Sequence, residues 1–246
     1  MSIPKIIHYC WFGGGAISAE SQKCMESWKK YCPDYKIIEW NEQNFDISTN
    51  RYAQQAYEAK KYAFVSDYVR LAVLYEYGGI YLDTDVELVR PLDELLELPG
   101  FMGFQTNNEV ATGLGFGARK GNSVVQALLR DYDALDFLKA DGSADLTPCP
   151  ERNTRVLQAL GVRKDGTRQS IAEMEIFPAE YFCPMDLYSR KLRVTPKTYS
   201  IHRYAESWKP KPSAVSRILQ RLLKKHYYTW YCPLRGRIEG RLRKRT

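Results

Sequence analysis

One stretch constrains this chain more than any other: Gly78-Gly79-Ile80-Tyr81-Leu82-Asp83-Thr84-Asp85. From Gln54 to Tyr77, the residues Phe64, Val65, Tyr68, Leu71, Ala72 and Tyr75 recur at spacings of three and four, which predicts one long helix with a buried face. The glycine pair stops it, because glycine takes the backbone that a helix C-terminus needs. Ile80 to Leu82 then reads as a short apolar strand, continued through Val86 to Val89, that carries two acids. Side chains alternate along a strand, so Asp83 and Asp85 are expected on one side. Two carboxylates so placed repel each other unless a cation lies near. Oxygen ligands of this kind suit Mg²⁺ or Mn²⁺, and such an ion neutralises and bridges the oxygens of a diphosphate. The alternative is a turn in which both acids face water.

The surrounding segments predict an α/β sheet with a ligand at the carboxyl ends of its strands. Ile3 to Cys10 reads as a buried strand that ends at Trp11-Phe12-Gly13-Gly14-Gly15, where glycine lets a ligand approach the backbone closely. Ser21 to Tyr31 is a predicted helix broken by Pro33-Asp34, and Tyr35 to Trp40 a second strand. Further strands are expected at Phe101 to Gln105, Ile176 to Cys183 and Thr198 to His202, with a helix over Ser123 to Asp133 and a polar surface loop over residues 139–153. The glycine-rich run Thr112 to Gly117 is either a turn or the lining of a pocket.

Four other residues can carry chemistry. Asp67 and Arg70 share a helix face amid apolar neighbours, so they pair with each other or with a polar ligand. Trp11, at a strand end beside the glycines, either stacks on a base or packs in the core. His202, at the end of a short apolar strand, either adds a nitrogen ligand to the acidic pair or is an ordinary hydrogen-bonded histidine.

The chain is 246 residues long, enough for one large domain (1–208) and an appendage (209–246). Its 36 Lys and Arg against 29 Asp and Glu give a net charge of +7. Residues 209–246 hold 12 of those basic residues and one acid, Glu239, so the rest of the chain is slightly acidic. The basic character therefore belongs to the tail, and no nucleic-acid partner is expected. Within the tail, Val215, Ile218, Leu219, Leu222 and Leu223 fall on one helical face and Arg217, Arg221, Lys224 and Lys225 on the other. Residues 214–246 thus read as a membrane-surface element, or as a helix packed on the body.

The six cysteines form no C-x-x-C pair and there are three histidines, which argues against a zinc site. Free thiols in a reducing cytosol are expected. The N-terminus lacks the pattern of a signal peptide, and no run reaches the roughly 20 apolar residues that span a bilayer. A cytoplasmic protein peripheral to the membrane is the expectation.

Three ordered blocks, Pro4 to Gly13, Ser66 to Arg70 and Tyr75 to Asp85, resemble the DXD-containing glycosyltransferases of family 32. That group includes bacterial capsular and lipopolysaccharide sugar transferases and the fungal initiating mannosyltransferase, and the blocks are also similar to the glucosyltransferase domains of the large clostridial toxins. His202 to Trp208 resembles the family's closing His…Ser-Trp block. The resemblance implies a GT-A fold, Rossmann-like, that binds a nucleotide sugar and retains anomeric configuration. It implies that Trp11, with His8 in the same block, serves the nucleotide, that Asn41 faces the donor, and that Asp67 and Arg70 hold the sugar. Asp83 would sit by ribose and metal, Asp85 would bind Mn²⁺ or Mg²⁺, His202 would complete the metal site, and Ser207 and Trp208 would close over the diphosphate. Front-face transfer is expected, the leaving phosphate helping to deprotonate a glycan or lipid-linked glycan acceptor in surface polysaccharide synthesis. A UDP-sugar is the favoured donor. The alternatives are a GDP-mannose-dependent mannosyltransferase, or a non-catalytic membrane- or nucleic-acid-binding protein that acts through its tail.

Overall fold

The computed structural model describes residues 2–186 and 189–205. In chain order the strands are β1 (Ile6–Cys10), β2 (Lys36–Trp40), β3 (Gly79–Tyr81), β4 (Val86–Leu88), β5 (Gly100–Phe104), β6 (Val110–Ala111), β7 (Phe116–Ala118), β8 (Gln169–Ile171), β9 (Met174–Phe177) and β10 (Ser200–His202). The helices are α1 (Ala19–Tyr31), α2 (Arg51–Glu58), α3 (Tyr62–Tyr77), α4 (Ser123–Asp133), α5 (Cys149–Ala159) and α6 (Ala179–Phe182). The main sheet runs β2-β1-β3-β7-β5-β9-β8, with β6 beside β5, and β10 and β4 make a separate antiparallel ribbon. β1 lies parallel to both β2 and β3, β7 antiparallel to β3 and β5, and β5 parallel to β9. This is the mixed α/β class that the sequence predicts, with α-helices on a sheet whose parallel strands end together.

A core lies on each face of the sheet. Tyr81 packs with Tyr68, Leu71, Phe104 and Phe116, whereas its neighbour Ile80 packs with Ile7, Trp28, Leu82 and Phe101. That opposition follows from strand alternation. α3 therefore covers one face. α1 sits on the other, where the Trp28 indole donates to the carbonyl of Val86 at 2.7 Å.

Four expectations are corrected. The Gln54–Tyr77 pattern is two helices, because Lys60 takes φ 56° and the amides of Lys60 and Lys61 return to the carbonyls of Tyr57 and Ala56, closing α2. The strand predicted through Val89 breaks at Asp83–Asp85, where the Val86 amide turns back to the Asp83 carbonyl at 3.0 Å and β4 leaves the main sheet. The loop expected over 139–153 contains the start of α5. The strand expected over Ile176–Cys183 stops at Phe177, and Pro178 opens α6.

His8 is the fifth correction. Expected on the donor, it is fully buried within β1. The Trp40 indole donates to its Nδ1 at 3.0 Å, and its Nε2 meets the carbonyl of Gly78 at 2.9 Å. An indole only donates and a carbonyl only accepts, so the ring is the neutral Nε2–H tautomer with both nitrogens committed. Gly78 has φ 67° and Gly79 φ 109°, and a Cβ on Gly79 would lie 2.9 Å from His8 Nε2. His8 is thus the strut that ties β1 and β2 to the end of α3, and the glycine pair exists partly to admit it.

Burial pulls the His8 imidazole down to about 4. The unfolded chain therefore binds a proton first, and stability is full above pH ~6.5 and falls as pH drops toward 4. Between pH 7 and 5 this residue should cost about 2 kcal/mol by linkage. Urea unfolding of wild type and His8→Asn at the two pH values checks it. The variant should be weaker at pH 7 and lose less on acidification.

Candidate metal and donor site

Asp83 and Asp85 lie in the turn after β3 and not on a strand, and β10 brings His202 to them from far along the chain. His202 pairs with Val86 across the ribbon, and the Arg203 amide donates to the Asp85 carbonyl at 2.9 Å. One ligand atom from each of Asp83, Asp85 and His202 falls within 4.8 Å of the others. His202 Nε2 meets Asp85 Oδ1 at 3.2 Å, and its buried Nδ1 has no partner among the described residues. Burial opposes the Asp85 charge, but His202 and the Ala205 amide outweigh it and hold the carboxyl down to about 2. The reciprocal attraction raises His202 despite its burial. Two hard oxygen donors and one imidazole, whose Nδ1 is unspent among the described residues, fit Mn²⁺ or Mg²⁺.

Beside this trio lies a buried cation. Arg70 on α3 is 3.1 Å by Nη2 from Asp67 Oδ1 and 3.1 Å from Asp83 Oδ1. Its Nε donates to the Ser66 carbonyl at 3.1 Å, and its guanidinium lies over the Tyr81 ring at 4.9 Å. Burial opposes its charge, but the carboxylates of Asp83 and Asp67 outweigh it and hold the guanidinium above its already high ordinary range. Burial also pushes Asp67 up to about 6 in spite of Arg70. Asp67 and Arg70 pair with each other, and Arg70 extends the pair to the acidic turn.

Four members of this cluster escape the sequence reading. The Tyr81 hydroxyl donates to Asp83 Oδ1 at 3.0 Å, and strand alternation between residues 81 and 83 was the signal for it. Thr112 receives Arg70 Nη1 at 3.4 Å and Asn153 Nδ2 at 3.1 Å. Cys149 Sγ lies 3.3 Å from Thr112 Oγ1 and 3.1 Å from Asn153 Nδ2. Cys149 and Asn153 sit one helical turn apart on α5, partly in a stretch whose polar composition reads as loop, so no local pattern marked them.

The remaining candidates are placed as follows. Trp11 follows β1 at the same end of the sheet as Asp83, half-buried, with its indole donating to the Gly15 carbonyl at 2.5 Å. Asn41 is spent on its own loop, donating to Glu39 at 2.8 Å and accepting from the Gln43 amide at 2.9 Å. Ser207 and Trp208, like the whole tail, lie outside the described residues.

Gly113 presses on the site from β7's side. Its carbonyl accepts the Asp83 amide at 3.1 Å, and an added Cβ would stand 1.9 Å from Asp83 Oδ2. At Gly113 the glycine-rich run makes a close approach to the acidic turn. Gly113→Ala should displace Asp83, and the affinity of the Asp83–Asp85–His202 trio for added Mn²⁺ should be about tenfold or more below that of the unaltered chain. Gly15→Ala, which meets open space, serves as the control in the same calorimetric titration.

The family described as glycosyltransferase sugar-binding region containing DXD motif matches residues 18–101. Inositol phosphoceramide mannosyltransferase 3 of Schizosaccharomyces pombe is 29% identical over 151 residues, 55% of this chain and 39% of that protein, so the chain spans well under half of that relative's length. An uncharacterized glycosyltransferase, L373, of Acanthamoeba polyphaga mimivirus is 25% identical over 219 residues, 85% of this chain and 84% of its own. Among solved structures, the PaToxG glycosyltransferase superposes with a TM-score of 0.47 at 21% identity, over 64% of this chain and 69% of that one. Over residues 18–101 the chain is therefore similar to the DXD-containing sugar-binding regions of glycosyltransferases.

Proposed function

We propose that this chain transfers a sugar from a nucleotide-sugar donor to a glycan or lipid-linked glycan acceptor, with Mn²⁺ or Mg²⁺ held by Asp83, Asp85 and His202. The observation that carries the reading is the convergence of those three side chains beside the buried Asp67–Arg70 pair. A bound divalent ion would neutralise the charge that develops on the leaving diphosphate. Arg70 presents fixed positive charge at the same place, already desolvated and needing no reorganisation. Asp67, buried against Arg70, accepts a sugar hydroxyl when ionised, and Tyr81 and Thr112 hold the arginine in register. Trp11 offers an aromatic face to the base. The family resemblance supports retention, with the departing phosphate taking the acceptor proton.

The toxin-like Trp11 block favours a UDP-sugar. A second reading, mannosyl transfer from GDP-mannose, is supported by the name of the fission-yeast relative. Thermal-shift titration with UDP- and GDP-sugars separates them, since a ligand bound at 100 times its Kd stabilises by about 2.7 kcal/mol. A UDP-sugar with Mn²⁺ should raise Tm, and Asp85→Ala should abolish both that shift and Mn²⁺-dependent donor hydrolysis. Undiminished hydrolysis by Asp85→Ala would overturn the metal role.

The basic tail, residues 214–246, is proposed to bring the enzyme to the cytoplasmic membrane face, where lipid-linked acceptors reside. Its charge supports this, at roughly 1 kcal/mol of attraction to anionic lipid per basic residue near the surface. Sedimentation with phosphatidylserine vesicles should pull down the full chain and leave a chain cut after Trp208 in solution. Equal binding by both would refute it.

A further inference from the structure

Tyr204 has φ 52°, a left-handed conformation that a bulky residue rarely holds. The turn it makes sends two successive-but-one amides to the same residue. Arg203 N donates to the Asp85 carbonyl at 2.9 Å and Ala205 N to Asp85 Oδ2 at 2.8 Å. An extended residue between them would point the second amide elsewhere. The ring of Tyr204 lies against His202 with centroids 4.2 Å apart, and its hydroxyl meets Cys183 Sγ at 2.9 Å. The Arg190 guanidinium covers the ring's other surroundings at 5.1 Å and reaches the carbonyls of Arg203 and Tyr204 at 3.4 Å each. Strained backbone persists only where its surroundings over-determine it, and these contacts do so.

We infer that Tyr204 is a positioning residue for the cation site: its left-handed turn and its ring together orient Asp85 and His202 before an ion arrives. With Oδ2 tied to the Ala205 amide, Asp85 keeps Oδ1 on the side of His202 Nε2. The ring restricts the rotation of His202. Ligands fixed in advance pay less ordering cost on binding, and partners that orient ligands typically change metal affinity by about 10- to 100-fold. The inference rests on the metal reading proposed above.

The test measures binding of Mn²⁺ alone to the full chain, by isothermal titration and by the loss of free-ion paramagnetic signal, with circular dichroism on every variant. Tyr204→Phe keeps ring and backbone and should bind within about threefold of wild type. Tyr204→Ala, which keeps the turn's strain and loses the ring, should bind about tenfold or more weakly. Arg190→Ala, at an exposed position, should bind a fewfold more weakly with an unchanged fold. It carries the test if Tyr204→Ala does not fold. Wild-type affinity in a folded Tyr204→Ala, or in Arg190→Ala where the former does not fold, overturns the role of Tyr204 and leaves the metal site standing. Absence of Mn²⁺ binding by wild type overturns both.

Discussion

The site depends on one guanidinium. Arg70 is almost fully buried, and its charge is tolerable there because Asp67 and Asp83 both lie 3.1 Å from Nη2. Removing one partner of a buried ion pair costs about 3–5 kcal/mol, because the other charge stays buried. That penalty turns a sequence-local pair on α3 into a tie between helix and acidic turn. Tyr81 supports the same arrangement from two directions, under the guanidinium and against Asp83. Gly113 leaves just the space that Asp83 occupies.

The other end of α3 is fixed with equal economy. Gly78 and Gly79 end the helix, admit His8 and start β3 within two residues. The acidic turn is therefore held at one side by a neutral imidazole strut and at the other by a charged bridge. Both devices have their polar atoms satisfied within the protein, as buried polar groups require, while His202 Nδ1 lacks a partner among the described residues. The contrast separates the groups that build the site from the one with capacity left over.

Much of this is readable along the chain. The helix-glycine-strand-acid order of Tyr75 to Asp85 marks the turn, and the spacing of Asp67 and Arg70 marks their common face. What misleads is local pattern without context. Apolar spacing runs smoothly across Lys60 and conceals the left-handed residue that divides α2 from α3. Polar composition over 139–153 conceals the start of α5, which supplies Cys149 and Asn153 beneath Arg70. His8 lies in a block similar to donor-binding sequences, yet an imidazole with both nitrogens bonded inside the sheet has nothing left to offer a ligand.

The sequence by itself determined that two acids follow a buried strand, that an Asp and an Arg share a helix face, and that the excess of basic over acidic charge lies in the tail. These are matters of spacing and composition, which neighbouring residues settle. The tertiary structure alone decided that Asp83 and Asp85 converge through a turn and not through strand alternation. It also decided that β10 carries His202 to them, and that Tyr204 bends the chain back onto Asp85. Those outcomes come from strand pairing and close packing between distant segments, where a partner is chosen by the space and hydrogen bonds that remain unfilled.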